Sequence, residues 1–216
     1  MFSKLFGRSE GNQGSSLDEE ERRRSPALDE AIAYGEAHQP EDGGLTLLDL
    51  GAAHGTSLES FGRRGHRIHV CDLLGGLRRD GGGLGPDLAT PEVFGPRTEE
   101  LLPDLKTPKF HIGLLWDLLD YLPPETFPTL FQLLAQRMDE GSHLIIQVGY
   151  QRKMPAQPRM QEVMEDLSLR VQSGEPQISC PRHRETQIGR SATPFRVERS
   201  FLCKNGLMEY LMVRGS

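Results

Sequence analysis

The chain has 216 residues, 36% hydrophobic and 26% charged, with 31 acidic against 25 basic side chains and a formal charge of −6. That length suits one domain with an appendage, and the acidic balance argues against a broad nucleic-acid surface, which needs Lys and Arg to neutralise phosphates. No apolar run approaches the roughly 18 residues that a membrane-spanning helix requires, and three scattered cysteines (Cys71, Cys180, Cys203) without a CxxC pair exclude a disulfide framework and point to a reducing cytoplasm.

The first residues, MFSKLFGRSE, lack the apolar core and cleavage site of a secretory signal. They read as a mobile tail, with a short membrane or partner contact as the other option. Gly, Ser and charge then dominate to DEEERRR, so residues 1–24 are expected to be a disordered tail and 25–216 the folded domain. Ser25-Pro26 is a helix-start signal, and SPALDEAIAYGEAHQP predicts a helix that turns Leu28, Ala31 and Ile32 inward and closes at Pro40.

LTLLDLG is a nearly continuous apolar run ending in glycine, as expected of a strand buried on both faces of a parallel sheet. TSLESFGRRG supplies two helical turns and HRIHVCDLL a second strand, so the three form a compact βαβ unit. Between residues 75 and 98 glycine and proline are so frequent that irregular, flexible chain is expected, with a short strand at Glu92–Phe94 and a short helix in RTEELLPDL.

KFHIGLLWDLLDYLPP begins as a buried strand up to Trp116. ETFPTLFQLLAQRM follows with Phe127, Leu130, Phe131, Leu134 and Met138 at helical spacing, Gly141 ends that helix, and HLIIQVGY is another buried strand. MQEVMEDLSLRV repeats helical spacing through Met160, Val163, Met164, Leu167 and Val171, which predicts a further helix with Met160 and Met164 in the core. CPRHRETQIGR reads as a solvated loop that could contact an anionic acceptor; Cys180 and His183 lie within it without a second ligand pair, so no metal is expected. FRVERSFLCKNGLMEYLMVR is a hairpin bent at Asn205-Gly206. The fold class is therefore α/β: a doubly wound, mostly parallel sheet with helices on both faces and a C-terminal antiparallel hairpin.

In such sheets the ligand crevice lies beyond the carboxyl ends of the strands. LLDLGAAHGTSL puts Gly51 and Gly55 there, where backbone can approach a ligand and adopt positive φ, and Asp72 closes the next strand where an acid can accept from ribose hydroxyls. A dinucleotide fingerprint G-x-G-x-x-G fails at Ala53 and Thr56, which disfavours a nicotinamide oxidoreductase. An acid followed by glycines at +2, +4 and +6 fits better: Asp49, Gly51, Ala53 and Gly55 depart from it only at Ala53.

This pattern resembles motif I of the class I S-adenosylmethionine-dependent methyltransferases. GHRIHVCD is similar to their ribose-binding strand, FHIGLLWDLLDYLPPE to their fourth strand and following loop, and the hairpin to their sixth and seventh strands, so the resemblance spans about residues 26–214. It implies a seven-stranded sheet, S-adenosyl-L-methionine as cofactor, and methyl transfer to an unidentified small-molecule or protein acceptor. It also implies a cofactor site from Asp49, Gly51, Ala53, Gly55, Asp72 and Trp116, with Asp117 and Asp120 as candidates for orienting a nucleophile. Plainer roles are open as well: helix capping for Asp49 and Asp120, a solvent-facing strand end for Asp72, core packing for Trp116. His54 either lines the cofactor's methionine end or caps a helix in solvent. No Asn-Pro-Pro-aromatic sequence is present, so the resemblance does not extend to enzymes that methylate base amino groups in DNA. The alternative function is a noncatalytic binding or scaffolding module on the same fold, which Ala53 and the unlocated third strand favour.

Overall fold

The structure is a computed structural model that describes residues 19–38, 44–78, 88, 90–203 and 205–216. The N-terminal stretch up to residue 18, Pro40, the glycine-rich run 79–87 and Lys204 lie outside the described residues.

Six strands form the central sheet. β2 (Thr46–Asp49), β3 (Arg67–Val70), β4 (Phe110–Trp116) and β5 (Met138–Gly149) run parallel, while β10 (Phe195–Leu202) and β11 (Leu207–Arg214) add an antiparallel hairpin. The spatial order is β10-β11-β5-β4-β2-β3, so the hairpin inserts its second strand next to β5. The bend falls at Asn205-Gly206, where Gly206 has φ 74°, as a turn glycine should. Among the described residues no strand lies beyond β3, where a seventh would pair.

β2 is buried at all four positions because both its faces are covered. One face carries Leu47, Ile112, Leu114, Ile145 and Leu211 against α1 (Pro26–His38) and Phe61 of α2 (Gly55–Arg63). The other carries Leu48, Phe110, Leu144, Ile146 and Tyr210 against α3 (Leu73–Arg78), α4 (Pro91–Leu101), α5 (Phe127–Ala135) and α6 (Glu185–Ser191). Among the described residues no helix is long and apolar enough to cross a membrane.

Several expectations are corrected. Residues 160–171 are not helical: β7 (Met160–Val163) and β8 (Leu169–Ser173) form a hairpin, and β1 (Glu19–Arg23) pairs antiparallel with β8 to make a three-stranded sheet. The turn is fixed by Asp166, whose Oδ1 accepts from the Ser168 N–H at 3.1 Å and Oγ at 2.6 Å, and by Leu167 at φ 62°. The sheet lays Val163, Leu167, Leu169 and Val171 on the α1 side of the core and leaves Met160 44% exposed, whereas Phe131 is fully buried. The charged run Glu19–Arg23 is thus an ordered edge strand, since pairing with β8 satisfies the backbone groups that face it and Glu209 receives the Arg23 side chain.

Glu92–Phe94 belongs to a helix, α4, which starts on Pro91 where a missing N–H costs nothing. The glycines of α3 are packing residues: a Cβ at Gly76 would lie 2.7 Å from the Leu101 side chain, so glycine lets α3 and α4 approach. Helix α5 ends at Ala135, and Met138 opens β5, with Gly141 (φ 81°) inside that strand. CPRHRETQIGR contains α6 rather than only loop. A small ribbon, β6 (Lys153–Pro155) with β9 (Pro176–Ser179), completes the fold.

Candidate functional site

A cleft of about 270 Å³ opens at the carboxyl ends of β2, β3 and β4. Its floor is Leu50, Gly51 and Ala52; Asp72 and α3 form one side, Leu115 to Leu118 the back, and the connection Gln157–Met160 the rim. This is the crevice that the topology provides for a ligand.

Asp49 anchors the floor without lining the cleft. Its buried Oδ1 accepts from the Gly51 N–H at 2.9 Å and from the Trp116 indole Nε1 at 2.8 Å. Burial pushes its carboxyl up to about 6, against the pull of those two hydrogen bonds; nearby Asp72 adds a smaller upward push. Trp116, buried and lining the cleft, holds φ 50° where its pairing with β5 shifts register, a conformation that costs a non-glycine residue about 1–2 kcal/mol. Gly51 is glycine for space: a Cβ would sit 3.0 Å from Trp116 Cδ1 and 3.2 Å from Asp49 Oδ1.

Neither Gly51 nor Gly55 has positive φ, so the conformational role expected of them is not used. A Cβ at Gly55 would meet nothing within 4 Å, and Ala53 is exposed at negative φ, so alanine fits there without strain. Ala53 and Gly55 lie outside the cleft lining. His54 lines the cleft, half-buried; it occupies the N-cap position of α2 but its side chain makes no capping hydrogen bond.

Asp72 lines the cleft and is exposed. Its Oδ1 accepts from the Gly75 N–H at 2.9 Å, which caps α3, and Oδ2 has no partner among the described residues. Capping and an open carboxylate thus coexist in one side chain.

Asp117 and Asp120 separate. Asp117 lines the cleft, 1% exposed, and its Oδ2 accepts from the Arg159 N–H at 3.1 Å and Nη1 at 2.9 Å. Burial raises its pKa and the Arg159 charge opposes that rise. Asp120 lies outside the cleft lining; its Oδ2 accepts from the Gly149 N–H at 2.7 Å, and burial pushes it up to about 7. Cys180 and His183 are spent on the main chain, at the Gly149 and Leu119 carbonyls. Among the described residues no group of three or more His, Cys, Asp or Glu is placed to hold a metal.

Sequence reasoning missed Arg78, Gln157 and Arg159, which line the cleft with Asp72 and Asp117. Nothing local in QRKMPAQPRM marks Gln157 and Arg159, or in GGLRRD marks Arg78, because their partners lie far away along the chain.

No family model matches the sequence, and no curated protein matches it. Solved structures do. A S-adenosylmethionine-dependent methyltransferase from Clostridium acetobutylicum superposes with a TM-score of 0.50 at 14% identity, covering 88% of this chain and 90% of that one. The 1,6-didemethyltoxoflavin-N1-methyltransferase of Burkholderia thailandensis, with 1,6-didemethyltoxoflavin and S-adenosylhomocysteine bound, gives 0.46 at 18% identity over 88% and 79%. The magnesium protoporphyrin IX methyltransferase of Synechocystis, with S-adenosylmethionine bound, gives 0.45 at 16% over 88% and 78%. The chain has a class I S-adenosylmethionine-dependent methyltransferase-like fold.

Proposed function

We propose that the cleft binds S-adenosylmethionine and that the chain transfers its methyl group to an acceptor. The observation that carries this is the open Asp72 carboxylate at the end of β3, across the cleft floor from Gly51. An acid in that position accepts hydrogen bonds from ribose hydroxyls.

The residues present fit the cofactor. Asp72 would take the ribose, and Leu50, Leu74, Leu115 and Leu118 offer apolar walls for a flat base. Gly51 leaves the floor open beside Trp116, while Asp49 fixes both from beneath. The cofactor supplies a methyl group already activated on a sulfonium. The protein therefore has to hold and align the reactants, exclude water and accept little proton traffic. Buried Asp117 and Trp116 close the back of the cleft against water. Asp120, outside the lining, is a weaker candidate for orienting a nucleophile than Asp117.

The rival reading, a noncatalytic module, is favoured by one observation: the carboxylate nearest the back of the cleft, Asp117, is already paired with Arg159. The experiment is thermal unfolding with S-adenosylhomocysteine. At 100 times the dissociation constant a ligand stabilises by about 2.7 kcal/mol. A shift with this ligand and none with NAD is expected. Asp72→Asn, which keeps an acceptor for the Gly75 N–H, should lose most of the shift. No shift in the wild-type protein favours the module.

A further inference from the structure

The segment between β6 and β7 is fastened across the cleft at three points. The Tyr121 hydroxyl reaches the carbonyls of Pro155 at 3.1 Å and Gln157 at 2.7 Å, Arg78 Nη1 donates to Gln157 Oε1, and Arg159 joins Asp117 by backbone and side chain. The bracing joins Arg159, on this segment, to Arg78, at the end of α3, through Gln157, and both arginines line the cleft.

The way Arg159 is held decides what it can do. Its N–H and Nη1 both end on a single oxygen, Asp117 Oδ2. Asp117 is 1% exposed, so the pair sits in a poorly solvated wall. Of the guanidinium nitrogens of Arg159, only Nη1 is bonded among the described residues. A guanidinium offers five N–H donors in a planar fork that matches a carboxylate two-to-two. Asp117 therefore orients the fork from behind and leaves most of its donors for the cleft. Arg78 is held by its own contacts: its guanidinium lies 5.8 Å above the Tyr121 ring, and its buried Nε has no partner among the described residues. Gln157 links the two, because its side chain takes Arg78 and it stands two residues before Arg159.

We infer that Arg159, with Arg78 beside it, forms a carboxylate-binding end of the cleft. The carboxylate belongs either to the methyl acceptor or to the amino-acid end of the cofactor, an assignment that rests on the methyltransferase reading. The carboxylate site itself needs only the cleft.

Isothermal titration with four probes tests this: benzoate, its uncharged isostere benzamide, S-adenosylhomocysteine, and 5′-methylthioadenosine, which lacks the amino-acid end. The proteins are wild type, Arg159→Lys, and the pair Asp117→Asn/Arg159→Gln, which removes both charges of the pair together and so avoids leaving the buried Asp117 carboxylate without its cation. Arg159→Lys keeps the charge without the fork. Wild type is expected to prefer benzoate over benzamide, or S-adenosylhomocysteine over 5′-methylthioadenosine, by tenfold or more, Arg159→Lys to weaken that preference because the fork is gone, and the double variant to lose it. Loss in the first comparison assigns the carboxylate to the acceptor, and loss in the second to the cofactor. Benzoate binding that depends on Arg159, without binding of either adenosine probe, supports the carboxylate site and sinks the methyltransferase reading. Equal binding within both pairs of probes in the wild type, or a preference that survives in the folded double variant, overturns the carboxylate site while leaving the cofactor reading to stand on its adenosine affinities.

Discussion

The Trp116 indole N–H and Asp49 Oδ1 meet at 2.8 Å beneath the cleft, and the same oxygen takes the Gly51 N–H. Three residues from two strand ends are thereby locked together, and Trp116 is kept at φ 50°. Phenylalanine would preserve the ring packing and remove the donor. Trp116→Phe is therefore expected to destabilise the fold by about 1–3 kcal/mol, the range for stripping a partner from a buried acceptor. Urea unfolding measures it, and the slope with denaturant should stay at the wild-type value because the surface exposed is unchanged.

The two glycines of the floor motif should respond oppositely to the same substitution. A methyl at Gly51 meets Trp116 and Asp49 within 3.2 Å, and neither can retreat while the shared hydrogen bonds persist. Gly51→Ala should cost about 1–3 kcal/mol, as overpacking does. Gly55 opens α2 with free space around it, so Gly55→Ala should be neutral or stabilise by up to about 1 kcal/mol. Equal destabilisation in urea would contradict the described packing.

Asp120 gives the protein an unusual pH signature. Its carboxyl is pushed up to about 7 in the fold, chiefly by burial, against about 3.9 unfolded. Between those values the native state holds a proton that the unfolded chain has released. The contribution is fully present below about pH 4 and is lost as pH rises through about 7, at up to roughly 1.4 kcal/mol per pH unit. Asp49, raised to about 6, acts in the same direction over a narrower window. Asp120→Asn, which cannot ionise, should flatten the decline between pH 4 and 7 relative to wild type in urea titrations at successive pH values. An unchanged slope would mean that Asp120 ionises normally.

What could be read in advance follows from how local the determining forces are. β2, β4 and the second half of β5 are largely apolar runs because helices cover both faces, and the terminal hairpin is announced by Asn205-Gly206. Residues 160–171 misled because apolar residues spaced three and four apart also occur when two short alternating strands are joined by a turn. Only the Asp166–Ser168 contacts and β1 on the far edge decide between the two. At the site, Asp72 and Gly51 were legible from their places after strands. Arg159 was not, since its significance comes from Asp117, brought beside it by the fold. The open space around Gly55 was equally invisible, because a motif position does not show whether a side chain would fit.

The pairing of β1 rests on a buried charge. Glu209, fully buried on β11, accepts at Oε1 from Arg23 Nη1 at 2.7 Å and Gln147 Nε2 at 3.0 Å, and at Oε2 from Ser25 Oγ at 2.9 Å. Arg23→Met would leave that carboxylate without its cation in a dry interior and should cost about 3–5 kcal/mol. The pair is imperfectly satisfied, for Arg23 Nε and Nη2 are buried with no partner among the described residues. Replacing both members by apolar residues is therefore expected to recover most of the loss, since an ion pair weighed against its own desolvation often gives little net stability. A cycle of Arg23→Met, Glu209→Met and the double variant, measured in urea, tests this through its coupling term. If Arg23→Met alone leaves stability within about 0.5 kcal/mol of wild type, the range of an ordinary surface change, Glu19–Arg23 does not hold the place on β8 that its pairing describes.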